Sequence, residues 1–291
     1  MKSKISNIMT YPTLRTLLGS RLTGRLALAA ALFAAGSVAG NNELIYGVSD
    51  QTNQLISFDS STPGTLLSAN NISGLAGNEQ LLGITWFNGT LYGLGSGSHL
   101  YTINPNTAVA TPVGAQFSPT LNGSDFGFTA GTFSLYESSD SGQNLTLNPL
   151  TGVAVAGPNL SPAVDAMAYN ALNGDFYGIG AHNPDMYGLD PVTGATFLIG
   201  PTGVSFEDGI GFDISPSTGI AYVSGTVAGQ TELFTGDLAT GALSLIGDVG
   251  VPGEFSSGLD GIAVAPVAEP GTMSLWVCGC VSLFGLRRRR K

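Results

Sequence analysis

The stretch Tyr101–Gly114, YTINPNTAVATPVG, returns three times along this chain, as LTLNPLTGVAVAGP (145–158), YGLDPVTGATFLIG (187–200) and FTGDLATGALSLIG (234–247). A looser copy, LISFDSSTPGTLLS, occupies 55–68. The residue that opens the turn is Asp59, Asn104, Asn148, Asp190 or Asp237, at intervals of 45, 44, 42 and 47 residues. An Asn or Asp side chain accepts a hydrogen bond from its own backbone two residues on, Pro presets the next φ, and Gly supplies a positive φ. Each copy therefore reads as strand, tight turn, strand.

Two further elements keep the same spacing. One reads LIYGVS (44–49), LYGLG (91–95), FSLYES (133–138), DFYGIG (175–180) and IAYVSG (220–225). The other, just ahead of it, reads LLGITWF (81–87), DFGFTA (125–130), VDAMAYN (164–170), DGIGFDI (208–214) and LDGIAVA (259–265). Short runs of Tyr, Phe, Ile and Val between Gly, Asn and Ser turns are strands. Four strands in about 45 residues make a propeller blade. The series opens at Leu44 on the second strand type and ends at Leu259 on the first. The expected fold is therefore all-β: a closed propeller of five four-stranded blades, the last strand completing the first blade and hiding the sheet edges.

The strings LYTINPNTAVATPVG (100–114), SDSGQNLTLNPLTG (139–152) and GLDGIAVAP (258–266) resemble the bacterial family named domain of unknown function 4394, over about Leu44 to Pro266. The resemblance implies propeller-like repeats and carries no established activity.

Charge is confined to the ends. Of 10 Lys and Arg, five lie at Lys2–Arg25 and five at Arg287–Lys291, with none between Leu26 and Leu286. Of 20 Asp and Glu, all but Glu269 lie within 40–268. Such a body repels phosphate backbones, which excludes nucleic acid as a partner. A neutral or cationic partner, or a divalent cation, remains open. Both cysteines, Cys278 and Cys280, lie in the last segment, so the body folds without disulfides.

The expected division is 1–39, a secretory signal; 40–266, the propeller; and 267–291, a sorting tail. The front has scattered basic residues, the apolar run Leu26–Ala35, and Ser37-Val38-Ala39 as a cleavage pattern. The back, VAEPGTMSLWVCGCVSLFGLRRRRK (267–291), resembles the PEP-CTERM sorting signal of exported bacterial proteins. Glu269-Pro270 match the second half of its motif and Ala268 replaces the first Pro. An apolar segment runs from Met273 to Leu286, and Arg287, Arg288, Arg289 and Arg290 close the tail. The resemblance implies recognition by an exosortase-type membrane enzyme, a membrane-anchored precursor, and release to the cell surface or extracellular matrix. Exopolysaccharide and surface proteins are the partners it implies. The positive-inside bias also sets the Arg cluster on the cytoplasmic side of a membrane.

Candidate chemistry is sparse. His99 and His182 are the only histidines, and they form no zinc-binding motif. There is no nucleophile elbow, and no Lys or Arg within the body to form a Schiff base or clamp a carboxylate. Asp125, Asp165, Asp208 and Asp260 all precede a first-type strand. They read as turn acceptors, as calcium ligands, or as a glycosidase pair. Trp86, Phe87 and Tyr92 cluster in the second blade, to pack between blades or to stack on a sugar. The function expected is an exported binding or structural protein without catalytic residues. The alternatives are a glycan-acting enzyme and a calcium-dependent carbohydrate-binding propeller.

Overall fold

The structure is a computed structural model and describes residues 42–49, 51–180, 184–207, 209–251, 253–255 and 258–267. The first strands are β1 (Leu44–Ser49), β2 (Gln54–Asp59) and β3 (Leu66–Asn71). Next come β4 (Leu81–Phe87), β5 (Thr90–Gly95), β6 (His99–Ile103) and β7 (Ala110–Val113). They are followed by β8 (Phe126–Ala130), β9 (Leu135–Ser139), β10 (Asn144–Leu147) and β11 (Ala154–Ala156). After these lie β12 (Val164–Tyr169), β13 (Phe176–Gly180), β14 (Asp185–Asp190) and β15 (Ala195–Pro201). The last are β16 (Gly211–Ile214), β17 (Ala221–Val227), β18 (Gln230–Gly236), β19 (Leu243–Asp248) and β20 (Gly261–Val264).

These strands form five four-stranded antiparallel sheets, a five-bladed propeller arrangement. The first sheet has the order β20-β1-β2-β3, with β20 held on β1 from Ile45↔Val264 to Val48↔Gly261. The other four run in chain order: β4 to β7, β8 to β11, β12 to β15 and β16 to β19. They are the second to fifth blades.

The recurring turn has the chemistry its sequence calls for. Oδ1 of Asn104, Asn148 and Asp190 each accepts two backbone N–H groups, at 2.8–3.3 Å. Asp59 accepts the N–H of Ser61, and Asp237 that of Ala239. Gly152, Gly194 and Gly241 close three of the turns at φ of 70°, 75° and 84°, and Ala108 holds the place in the second blade at φ 54°.

One expectation is corrected. The sheets are not closed into one ring by hydrogen-bonded ladders: among the described residues each blade is a sheet of its own and no ladder runs from one to the next. Isolated bridges such as Ser73–Val109 and Ser161–Ala195 touch neighbouring blades without extending. Nor are all edges hidden: β3, β7, β11, β15 and β19 each end a sheet and are largely exposed. The physical reason is the wedge shape of the blades. They meet face to face through side chains, and each junction has its own apolar cluster. Tyr46, Leu81 and Ile84 fill the first-to-second junction. Leu94, Phe128 and Leu145 fill the next. Met167 packs with Tyr136 and Phe176 between the third and fourth blades. Ile179, Phe212 and Phe234 join the fourth to the fifth, and Tyr222, Leu233 and Ile262 the fifth to the first.

A second correction concerns the membrane. No helix among the described residues is long and apolar enough to cross one. The described elements are strands of three to seven residues, and a spanning helix needs about twenty apolar ones. The transmembrane and membrane-anchored assignment is therefore withdrawn, and the localisation read from it goes with it. The signal at 1–39 and the tail residues Glu269, Pro270 and Arg287 to Arg290 lie outside the described residues.

Candidate functional site

The inner strands β20, β4, β8, β12 and β16 lie side by side round the axis. Their pairing puts Gly83, Gly127, Ala166, Gly211 and Gly261 on one level. A Cβ at Gly261 would stand 2.8 Å from the Gly83 Cα, one at Gly127 2.6 Å from the Met167 nitrogen, and one at Gly211 2.9 Å from the Ile262 nitrogen. Backbones this close leave a gap of about 10 Å³, no more than a single water. The axis is plugged, and a mouth opens on either side of the plug.

The mouth at the start of the inner strands gathers Asp125, Asp165 and Asp260 with Leu82, Phe126 and Ile210. Its free space is only about 20 Å³, too little for a sugar. Asp165 is buried, with Oδ1 lacking a hydrogen-bond partner. Burial pushes its carboxyl up to about 7, and the neighbouring Asp125 and Asp140 add to the rise. Among the described residues no three His, Cys, Asp or Glu side chains are arranged to hold a metal ion. Asp208 lies outside the described residues, and its neighbour Glu207 accepts the Gly229 N–H at 2.8 Å.

The mouth at the far end is a cavity of about 360 Å³ lined from all five blades. Thr85, Thr129 and Asp213, each two residues past the plug, form its floor. Trp86, Phe87 and Tyr169 stand in its wall. Trp86 packs edge-on to Tyr46, with ring centroids 5.8 Å apart. The hydroxyls of Tyr169 and Thr132 share a hydrogen bond of 2.8 Å.

The floor also joins blades. Thr129 Oγ1 accepts the Tyr169 N–H of the next blade at 3.2 Å. Asp213 Oδ2 accepts the Val264 N–H at 2.7 Å, and its Oδ1 accepts the Ile214 N–H at 2.9 Å. Burial pushes the Asp213 carboxyl up to about 7; the two N–H donors oppose the rise and Glu43 adds to it. Near neutral pH this group can both donate and accept a proton. Among the described residues it is the one carboxylate lining the cavity, whereas glycoside hydrolysis needs a pair about 5–10 Å apart.

The remaining candidates are placed elsewhere. His99 Nδ1 lies 2.6 Å from Glu79 Oε1, and the Tyr101 hydroxyl donates to Glu79 Oε2 at 2.9 Å. The Ala76 N–H donates to that same hydroxyl at 2.9 Å, so the set pins the loop before β4. His182 lies outside the described residues. Tyr92 is buried between the second and third blades.

Sequence reasoning passed over two acids, Asp213 and Glu137. Glu137 is fully buried beside Phe128 and Leu145 in the register of the third blade. Burial pushes its carboxyl up to about 8. The signal was present: Tyr46-Gly47, Tyr92-Gly93 and Tyr177-Gly178 mark the same place in other blades, and only here is the partner of Tyr an acid.

Residues 54–263 match the family described as "Domain of unknown function (DUF4394)". The chain belongs to that family. The DUF4394 match takes in Trp86, Tyr169 and Asp213 and stops one residue short of Val264. No curated protein matches the chain. Among solved structures, "Crystal structure of Nidogen/Laminin Complex" aligns at 9% identity and a TM-score of 0.49, over 77% of this chain and 98% of that one. "Crystal structure of Myxococcus xanthus Glutaminyl Cyclase" aligns at 14% identity and a TM-score of 0.44, over 72% and 98%. Alignments this loose do not bear on the site.

Proposed function

We propose that this DUF4394 domain is a binding module whose ligand is a polysaccharide without acidic groups, seated in the axial cavity. The observation that carries the reading is the convergence of five blades on one cavity of about 360 Å³ with a hydroxyl and carboxyl floor and an aromatic wall. Aromatic rings offer broad apolar faces with little rotamer freedom, and hydroxyls can either donate or accept. Cavities of this size with a few convergent polar groups are the usual shape of a small-ligand site. The absence of Lys and Arg between Leu26 and Leu286 turns away acidic polymers and suits neutral or amino sugars.

The test is calorimetric titration of the full chain with a neutral β-glucan, chitosan and alginate. Binding of the glucan or chitosan, weakened about tenfold by Trp86→Ala, supports the reading, since that loss equals about 1.4 kcal/mol. Binding of alginate alone refutes it. An exosortase-type enzyme acting on residues 267–291 is a separate proposal, supported by the order of motif, apolar segment and basic cluster. The mass of the mature chain tests it: a chain still ending at Lys291 contradicts it.

A further inference from the structure

A second cavity, of about 550 Å³, lies farther from the axis at the junction of the third, fourth and fifth blades. Its lining includes Tyr136 of β9, Phe176 of β13, the Asp190-Pro191-Val192 turn, and Phe197 of β15. It opens on the same face as the axial cavity. The inner strands end on that face, β13 begins there, and the turn from β14 to β15 returns to it.

Three rings stand between the two cavities. Tyr169 lines the axial cavity, and Phe176 and Tyr136 line the outer one. The Phe176 ring centroid lies 4.8 Å from that of Tyr169 and 4.8 Å from that of Tyr136. All three rings are half-buried. Gly131 of the axial wall presses on this ridge: a Cβ there would stand 2.7 Å from Tyr136 Cε2 and 3.0 Å from Phe176 Cζ. Glycine therefore keeps the ridge clear of a side chain where it meets the axial cavity. At the far end Phe197 is 63% exposed, although it is a large apolar residue on an uncharged edge strand.

We propose that the two cavities and the ridge between them form one track for a linear polysaccharide, with part of the polymer in the axial cavity and the following units stacked outward to Phe197. This rests on the binding reading above and adds to it the length and direction of the ligand. A row of rings suits a polymer that presents one apolar face after another. The carboxylates along the track, Asp213 in the axial cavity and Asp175 and Asp190 in the outer one, meet no Lys or Arg of the body. They suit sugar hydroxyls or ammonium groups as donors and repel uronic acids.

The test uses the full chain with a disaccharide and longer oligomers of chitosan and of a neutral β-glucan, and with alginate oligomers of matched length. Affinity is expected to rise with oligomer length for chitosan or glucan. Phe197→Ala is expected to weaken the longer oligomers about fivefold and leave the disaccharide unchanged, as loss of one exposed ring predicts. Its melting temperature should equal that of the parent, because the ring is largely exposed. Trp86→Ala is expected to weaken both lengths. If affinity does not grow with length, or Phe197→Ala leaves the long oligomers unaffected, the track is overturned while the axial reading stands. If alginate binds as tightly as chitosan, the charge argument is overturned. If no oligomer binds, the track and the axial reading fall together.

Discussion

The carboxylate of Asp213 in β16 accepts the backbone N–H of Val264 in β20, at 2.7 Å, across the junction where the fifth blade meets the sheet holding both ends of the propeller. Nearby, the hydroxyls of Ser215 and Thr218 donate to Glu43, just ahead of β1. A junction without a ladder is thus tied by side chains. Asp213→Ala strands the N–H groups of Val264 and Ile214, at about 1–3 kcal/mol for each buried donor left unpaired. Asp213→Asn keeps a carbonyl oxygen as acceptor and should lose less. Urea unfolding at pH 6 measures both. Equal losses would show that the hydrogen bond does not hold the junction.

Stability should fall as pH rises. Glu137, Asp165 and Asp213 all have folded values raised above the ordinary carboxyl range by burial, to about 8, 7 and 7. The folded state therefore keeps protons that the unfolded chain has already released between pH 4 and these values. Their contribution is full below about pH 4 and is lost as pH climbs through 7 to 8, at up to about 1.4 kcal/mol per pH unit for each group. Melting temperature followed from pH 4.5 to 8.5 should decline. Glu137→Gln, which cannot ionise, should flatten the upper part of that curve and raise the melting temperature at pH 8.5. A curve that rises with pH, or one that Glu137→Gln leaves unchanged, contradicts this assignment.

The glycines of the recurring turn do two jobs that substitution can separate. At Gly152 a Cβ would stand 2.1 Å from the Val113 carbonyl oxygen of the same blade's predecessor, at φ 70°. Gly89 has a similar φ of 75° but open space around it. Gly89→Ala should cost about 1 kcal/mol, the strain of the left-handed region alone. Gly152→Ala should cost about 2 kcal/mol more, since backbone must move. Chemical denaturation checks the difference, and equal losses would mean that the turn does not press on its neighbour.

The exposed two-residue turn Ala228-Gly229 between β17 and β18 has φ of 51° and 74°, and another two-residue turn, Asn88-Gly89 between β4 and β5, has 49° and 75°. Both positions of such a turn need positive φ, which Asn tolerates better than Ala. Ala228→Asn should stabilise the protein by about 0.5–1 kcal/mol. A loss of stability in thermal melts would contradict the turn geometry.

The blade turn was legible because its chemistry is local: an Asx side chain bonds its own backbone, and glycine supplies the φ. The sheets themselves followed from the spacing. What joins them did not, because strand counting says which strand belongs to which sheet and nothing about how neighbouring sheets adhere. The acids show the same limit. Asp125, Asp165 and Asp260 look equivalent in the sequence, yet Asp165 and Asp260 sit one residue before the plug and Asp125 two before it. The register shift between Val164 and Ala166 in β12 is part of that offset, and it has no sequence signature. Asp213 was missed because its place on the cavity floor is defined by four other blades. Glu137 was readable as a break in the Tyr-Gly repeat, but only its burial shows what the break does.

Trp86 gives the most direct test of the axial cavity as a binding site. The chain has two tryptophans, Trp86 and Trp276, so in a Trp276→Phe chain all indole emission comes from the cavity wall. Titrated with chitosan or a neutral β-glucan, its fluorescence should change saturably, and alginate should leave it unchanged. Polysaccharide binding measured by calorimetry with no change in Trp86 emission would place the ligand elsewhere and contradict the account.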